Sequence, residues 1–102
     1  MNDVTYSDAS SDDAVQIVQF QIEMARETEG VELDHRTCAE GVRAVFRNPA
    51  LGRYFVARSE GRIVASLQIT YEWSDWRNRQ VWWIQSVYVI PDMRSAEHTS
   101  AL

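Results

Sequence analysis

The chain predicts an α+β fold: a mainly antiparallel sheet in the order strand, helix, helix, strand, strand, strand, with the helices packed on it. Three observations carry this. Ala14 to about Thr28 and Leu33 to Phe46 repeat apolar residues at helical spacing. Arg53–Ser59 and Arg62–Tyr71 flank Glu60-Gly61, a two-residue turn with glycine where positive φ is wanted. Val81–Ile90 is the longest apolar run, rich in Val, Ile, Tyr and Trp, and Pro91 closes it because proline cannot donate to a ladder.

Each element follows from local chemistry. Val4–Tyr6 suits a short first strand. Ser10, Ser11, Asp12 and Asp13 form a helix start: a serine caps free N–H groups and the acids favour the positive end. Ala14, Ile17, Val18, Ile22 and Ala25 then share one face, and Gly30 is the stop. Asp34 caps the second helix, with Leu33 and Cys38 spaced as a hydrophobic staple. Cys38, Val42, Val45 and Phe46 continue its apolar face until Asn48-Pro49 ends it. The return strand of the hairpin sets Ile63, Ala65, Leu67, Ile69 and Tyr71 on one face, and a polar link, Glu72–Gln80, leads to the last strand. There, Val81, Trp83, Val87 and Val89 alternate with Trp82, Ile84, Tyr88 and Ile90. Both sets are apolar, which predicts a middle strand covered on both faces.

Composition narrows the function classes. The 102 residues suffice for one small domain, with 45% hydrophobic and 25% charged residues, globular values. A net charge of −5 disfavours nucleic acid and acidic membranes as partners. No apolar run approaches the roughly 18 residues of a membrane helix, and the N-terminus lacks the pattern of a secretion signal. One cysteine allows no internal disulfide, so a cytoplasmic setting is expected. Trp73, Trp76, Trp82 and Trp83 interleave with Arg77 and Arg79, which suits single-strand stacking; sheet core plus a solvated loop fits the acidic chain better. His35 and Cys38 have ligand spacing, but without a second pair they read as a surface histidine and a packed cysteine, and no metal is expected.

Three motifs, in this order, resemble the amino-terminal half of the GNAT family of acetyl-CoA-dependent N-acetyltransferases. Ser11–Val18 is similar to the opening of the family's first helix, Tyr54–Ala65 to its second and third strands, and Ser86–Arg94 to its fourth strand and the start of the cofactor loop. The resemblance covers about residues 3–94 and implies a partial GNAT-like fold, with a partial N-acetyltransferase domain over 1–94. It implies acetyl-CoA as co-substrate and a small-molecule or peptide amine as acceptor. The backbone of Val87, Tyr88 and Val89 takes the role of binding the pantetheine arm and polarising the thioester carbonyl. Glu72, and Gln85 through a water, are the candidates for taking the amine's proton. Tyr71, Trp73 and Trp76, with Glu72, lie near where the family's acceptor binds. Glu72 with Asp75 also suits an acid/base pair, though loop carboxylates are usually just solvated.

The sequence departs from the family after Asp92. Met93-Arg94 begins the expected turn, but no glycine follows Gly61, and Glu97 brings negative charge where pyrophosphate should bind. Arg94–Leu102 resembles the conceptual translation of a sequencing adapter, so 95–102 reads as a non-native tail; a genuine short tail is the alternative. The fragment is expected to be inactive, with its last strand an open edge that a homodimer would hide. The rival reading is a non-catalytic α+β protein-interaction module.

Overall fold

The computed structural model describes residues 4–94. In chain order they form β1 (Val4–Asp8), α1 (Ala14–Glu29), α2 (His35–Arg47), β2 (Arg53–Ser59), β3 (Arg62–Ser74) and β4 (Arg79–Val89). The four strands make one antiparallel sheet ordered β1-β2-β3-β4. Both helices lie on one face of it. Their apolar stripes meet β2 in a core of Ile17, Val18, Ile22, Val42, Val45, Tyr54 and Val56, among others.

Local signals explain the boundaries. The Ser10 N–H donates to the Asp13 carboxylate at 2.9 Å, and the other Asp13 oxygen accepts from Arg58 on β2. Asp13 is therefore buried as one half of an ion pair that ties the start of α1 to the sheet. Gly30, at φ 65°, ends α1 in the left-handed conformation. Asp34 accepts from the Thr37 N–H at 2.9 Å and from its hydroxyl at 2.7 Å, capping α2. Glu60 and Gly61 both have positive φ, as a tight hairpin with right-handed strand twist requires.

Two bulges reset the faces that strict alternation predicts. Arg58 pairs with Ile63 while Ala57 pairs with Ala65, so Val64 is the extra residue. Ile63 consequently packs against the helix-side core, apart from Ala65 and Leu67, which line the opposite face. In β4, Gln68 pairs with Ser86 and Ile69 with Ile84, leaving Gln85 unpaired. Beyond that bulge Ser86 and Tyr88 face α1, whereas Val87 and Val89 line the open face. The simple odd and even sets expected for this strand are therefore broken at Gln85.

The expectation of a covered middle strand is also corrected. β4 is an edge of the sheet in the described residues, with Trp82 55%, Ile84 64% and Val87 54% exposed. Composition reports what a strand can bury, and it carries no information on which neighbour is present. On the face away from the helices, Phe55, Ala57, Ala65, Leu67, Val87 and Val89 line an apolar groove of about 370 Å³.

Gly52, just before β2, touches the second bulge. A Cβ there would lie 2.7 Å from the Ile69 carbonyl oxygen. Gly52→Ala is expected to push β2 off β3 and cost about 1–3 kcal/mol, the usual range for overpacking. Urea unfolding checks this; an unchanged midpoint would rule the contact out.

Candidate active site

The C-terminal half of β4 is held from the helix side. The Gln21 side-chain amide on α1 donates to the Ser86 hydroxyl at 3.2 Å, next to the bulge. The Phe20 ring lies 4.9 Å from the Tyr88 ring, and the Tyr88 hydroxyl donates to Glu27 at 3.2 Å. Burial, then the Glu27 charge, pushes the Tyr88 phenol above its ordinary pKa. Arg94 folds back over this corner. It pairs with Glu27 at 2.9 Å, stacks 5.0 Å from the Tyr88 ring centre, and donates through Nε to the Val89 carbonyl.

Backbone directions along this segment follow from one bond. The Ile90 N–H donates to the Val64 carbonyl at 3.0 Å, toward β3. In an antiparallel ladder alternate residues point to the same side, so Tyr88 also addresses β3, through its partner Ser66. Val87 and Val89 direct their N–H groups to the outer edge. Among the described residues no strand pairs with that edge. Fixed donors without a ladder partner are suited to hold a carbonyl oxygen on which negative charge develops. Of these three residues, Val87 and Val89 turn their N–H groups to the open edge, and Tyr88 turns its own to β3 and its ring to α1.

The other candidates sit toward the β3–β4 hairpin. β3 continues to Ser74 and β4 starts at Arg79, so the predicted link Glu72–Gln80 is mostly strand, with Asp75–Asn78 as the turn. Glu72 pairs with Val81 and its carboxylate accepts the Trp83 indole N–H at 2.6 Å. Gln85 lies four residues farther along β4, about 13 Å at the rise of a strand. The two candidate bases thus occupy different points of the sheet. Strand alternation sets Tyr71 and Trp73 on the face opposite Glu72. Tyr71 packs edge-on against Trp82 at 5.7 Å, a ring that also faces Arg53. At the hairpin tip, Glu72, Trp73, Asp75, Trp76, Arg77 and Trp83 line a cavity of about 250 Å³. Trp76, and Trp73 although set on the opposite face, also line it; Tyr71 does not.

Sequence reasoning missed Trp83 as a partner of Glu72, because its apolar surroundings read as core. It also missed Gln21 and Glu27, whose role depends on contacts more than sixty residues away. Among the described residues no group of His, Cys, Asp and Glu is placed to hold a metal. Cys38 packs against the core, and burial pushes its thiol up. No described helix is long and apolar enough to cross a membrane. The tail at 95–102, with Glu97 and His98, lies outside the described residues.

Comparison with known proteins places this geometry. The family model described as "Acetyltransferase (GNAT) family" matches residues 14–102. A possible acetyltransferase from Clostridium difficile 630 superposes with a TM-score of 0.88 at 39% identity, over 96% of this chain and 64% of that protein. A predicted acetyltransferase with acetyl-CoA from Clostridium acetobutylicum has the same fold, with a TM-score of 0.74 at 17% identity, over 97% of this chain and 68% of that one. So does a GNAT family acetyltransferase from Brucella melitensis in complex with acetyl-CoA, with a TM-score of 0.69 at 17% identity, over 100% of this chain and 64% of that one. The chain thus spans less than two thirds of the length of the Clostridium difficile protein. No curated protein matches it in sequence.

Proposed function

The chain belongs to the GNAT family of acetyltransferases, and from that premise we propose that the protein transfers an acetyl group from acetyl-CoA to an amine. One observation carries the proposal: beside the Gln85 bulge, β4 turns the N–H groups of Val87 and Val89 to an open edge. An acyl carbonyl lying along that edge meets donors already fixed in place, which favours the oxyanion over the ground-state carbonyl. The acceptor amine must be neutral to attack, so a proton leaves it first. Gln85, exposed at the bulge, is assigned the ordering of a water for that step. Glu72, paired with Val81 and held by the Trp83 indole N–H, is assigned to acceptor binding.

The test uses S-acetylpantetheine, which carries the thioester arm without pyrophosphate. Titrated into the labelled chain, it is expected to shift the Val87 and Val89 amide resonances and leave the Tyr88 amide in place. Because no glycine follows Gly61, acetyl-CoA is expected to bind no tighter than S-acetylpantetheine, and the chain alone is expected to form no acetylated product. Undisturbed β4 amides would sink the reading. A second reading, a protein-interaction module, is supported by the exposed Trp82, Ile84 and Val87 on the same edge. It requires an extended peptide to shift the β4 amides where S-acetylpantetheine does not.

A further inference from the structure

The chain beyond β4 doubles back on the open edge. One tight helical turn at Pro91–Met93 reverses it. The Met93 N–H donates to the Ile90 carbonyl at 3.0 Å, and the Arg94 N–H to the Pro91 carbonyl at 3.1 Å. The Arg94 side chain then returns along β4. Its Nε–H donates to the Val89 carbonyl, Nη2 pairs with Glu27 at 2.9 Å, and the guanidinium lies 5.0 Å from the Tyr88 ring centre. An exposed side chain is thus held by three partners, two on β4 and one on α1.

Direction decides what this contact covers. In an antiparallel strand the N–H and C=O of one residue point to the same side. The Ile90 N–H faces β3, so the Val89 carbonyl shares the outer edge with the Val89 N–H. Among the described residues no strand reaches that edge, and the guanidinium takes the place a strand N–H would fill. An acyl-pantetheine arm laid along the edge needs both kinds of group. Its carbonyl accepts from an N–H, and its amide N–H groups require carbonyls. Val89 offers a free donor and an acceptor already taken.

We propose that Arg94 and Glu27 form a clasp on the Val89 carbonyl of the empty site, and that the arm binds fully only when Arg94 lets go. This rests on the acetyl-transfer reading above and adds a control to the same site. Glu27 is the anchor, because its charge holds the guanidinium while Nε meets the carbonyl. The Tyr88 ring supports the flat face of the guanidinium. The clasp also serves the empty chain. Unpaired groups along a strand edge recruit other strands, and an arginine seated there blocks that pairing.

The test uses the 102-residue chain and two uncharged thioesters, so that removing a protein charge leaves the attraction of the ligand unchanged. S-acetylpantetheine carries amide N–H groups and ethyl thioacetate carries none. Affinity is read by NMR from the Val87 amide. Arg94→Ala is expected to bind S-acetylpantetheine about tenfold tighter than the parent, the gain from freeing a site that is open about one-tenth of the time. Glu27→Gln keeps an acceptor for the Tyr88 hydroxyl and removes the ion pair, and is expected to give a smaller gain in the same direction. Ethyl thioacetate makes no use of the Val89 carbonyl and is expected to bind all three proteins alike. In the parent, the Arg94 Nε–H is expected to give a signal of its own that S-acetylpantetheine moves and ethyl thioacetate does not. Both mutated residues are exposed, and the amide spectrum reports whether each variant keeps the fold. Equal affinity of the parent and Arg94→Ala for S-acetylpantetheine would overturn the inference, as would an Arg94 Nε–H signal that the bound ligand leaves in place. If S-acetylpantetheine moves no β4 amide in any of the three proteins, the acetyl-transfer reading falls first and the clasp's role falls with it.

Discussion

Ile17→Ala is expected to remove about 3 kcal/mol of stability and lower the melting midpoint by about 15 °C. Ile17 sits in the first turn of α1 with no exposed surface, in the cluster that joins both helices to β2. Truncation there loses the transfer energy of three carbons and leaves a cavity between elements that cannot easily close on it. The effect is large because the described residues cover only one face of the sheet. The other face presents the apolar groove, so little else compensates. Val15, two residues earlier on the same helix, is 73% exposed and is the control. Val15→Ala should stay within about 0.5 kcal/mol of the parent. Thermal melts followed by circular dichroism check both. If the two variants melt together, α1 does not pack on the sheet as described.

What was legible in the sequence was whatever short-range chemistry decides. Gly30, Asp34 and the Glu60-Gly61 turn each act within a few residues, and the C-terminal end of α1, the start of α2 and the first hairpin follow from them. The bulges were not legible. Val64 and Gln85 are ordinary strand residues, and only the partner strand reveals that each is one too many. The polar residues from Glu72 onward read as a link, because alternation cannot show that Glu72–Ser74 find cross-strand partners in Arg79–Val81. Asn78, at φ 53°, tightens the turn that makes this pairing possible.

The candidate site divides the same way. The resemblance drew attention to Val87–Val89, but the direction of each N–H depends on ladder parity, which the Ile90–Val64 bond fixes. Glu72 and Gln85 looked like alternatives for one role. They occupy two places on the sheet: Glu72 pairs with Val81, and Gln85 is the bulged residue. Gln21 and Glu27 gave no local signal, since each acts through a β4 partner brought near only by the fold.

The parent chain is expected to lose about 2 kcal/mol between pH 10 and 12, and Tyr54→Phe is expected to remove most of that loss. Tyr54 is 5% exposed on the helix-facing side of β2, with its ring 5.5 Å from Phe46. Burial, then the nearby Cys38, pushes its phenol from 10.0 up to about 12. The folded chain therefore holds this proton more tightly than the unfolded chain. The stabilisation is complete below the unfolded value and is lost as pH rises through the folded one, because the unfolded tyrosine ionises first. Cys38 and Tyr88, also raised by burial, act in the same direction and leave a residual slope in Tyr54→Phe. Phenylalanine keeps the ring against Phe46 and removes the ionisable oxygen, so packing and ionisation are separated. Urea unfolding at pH 9 and at pH 11.5 measures the difference for both proteins. Parallel curves for parent and variant would mean that the Tyr54 hydroxyl reaches water, and with it that the α2–β2 contact is looser than the burial of this ring requires.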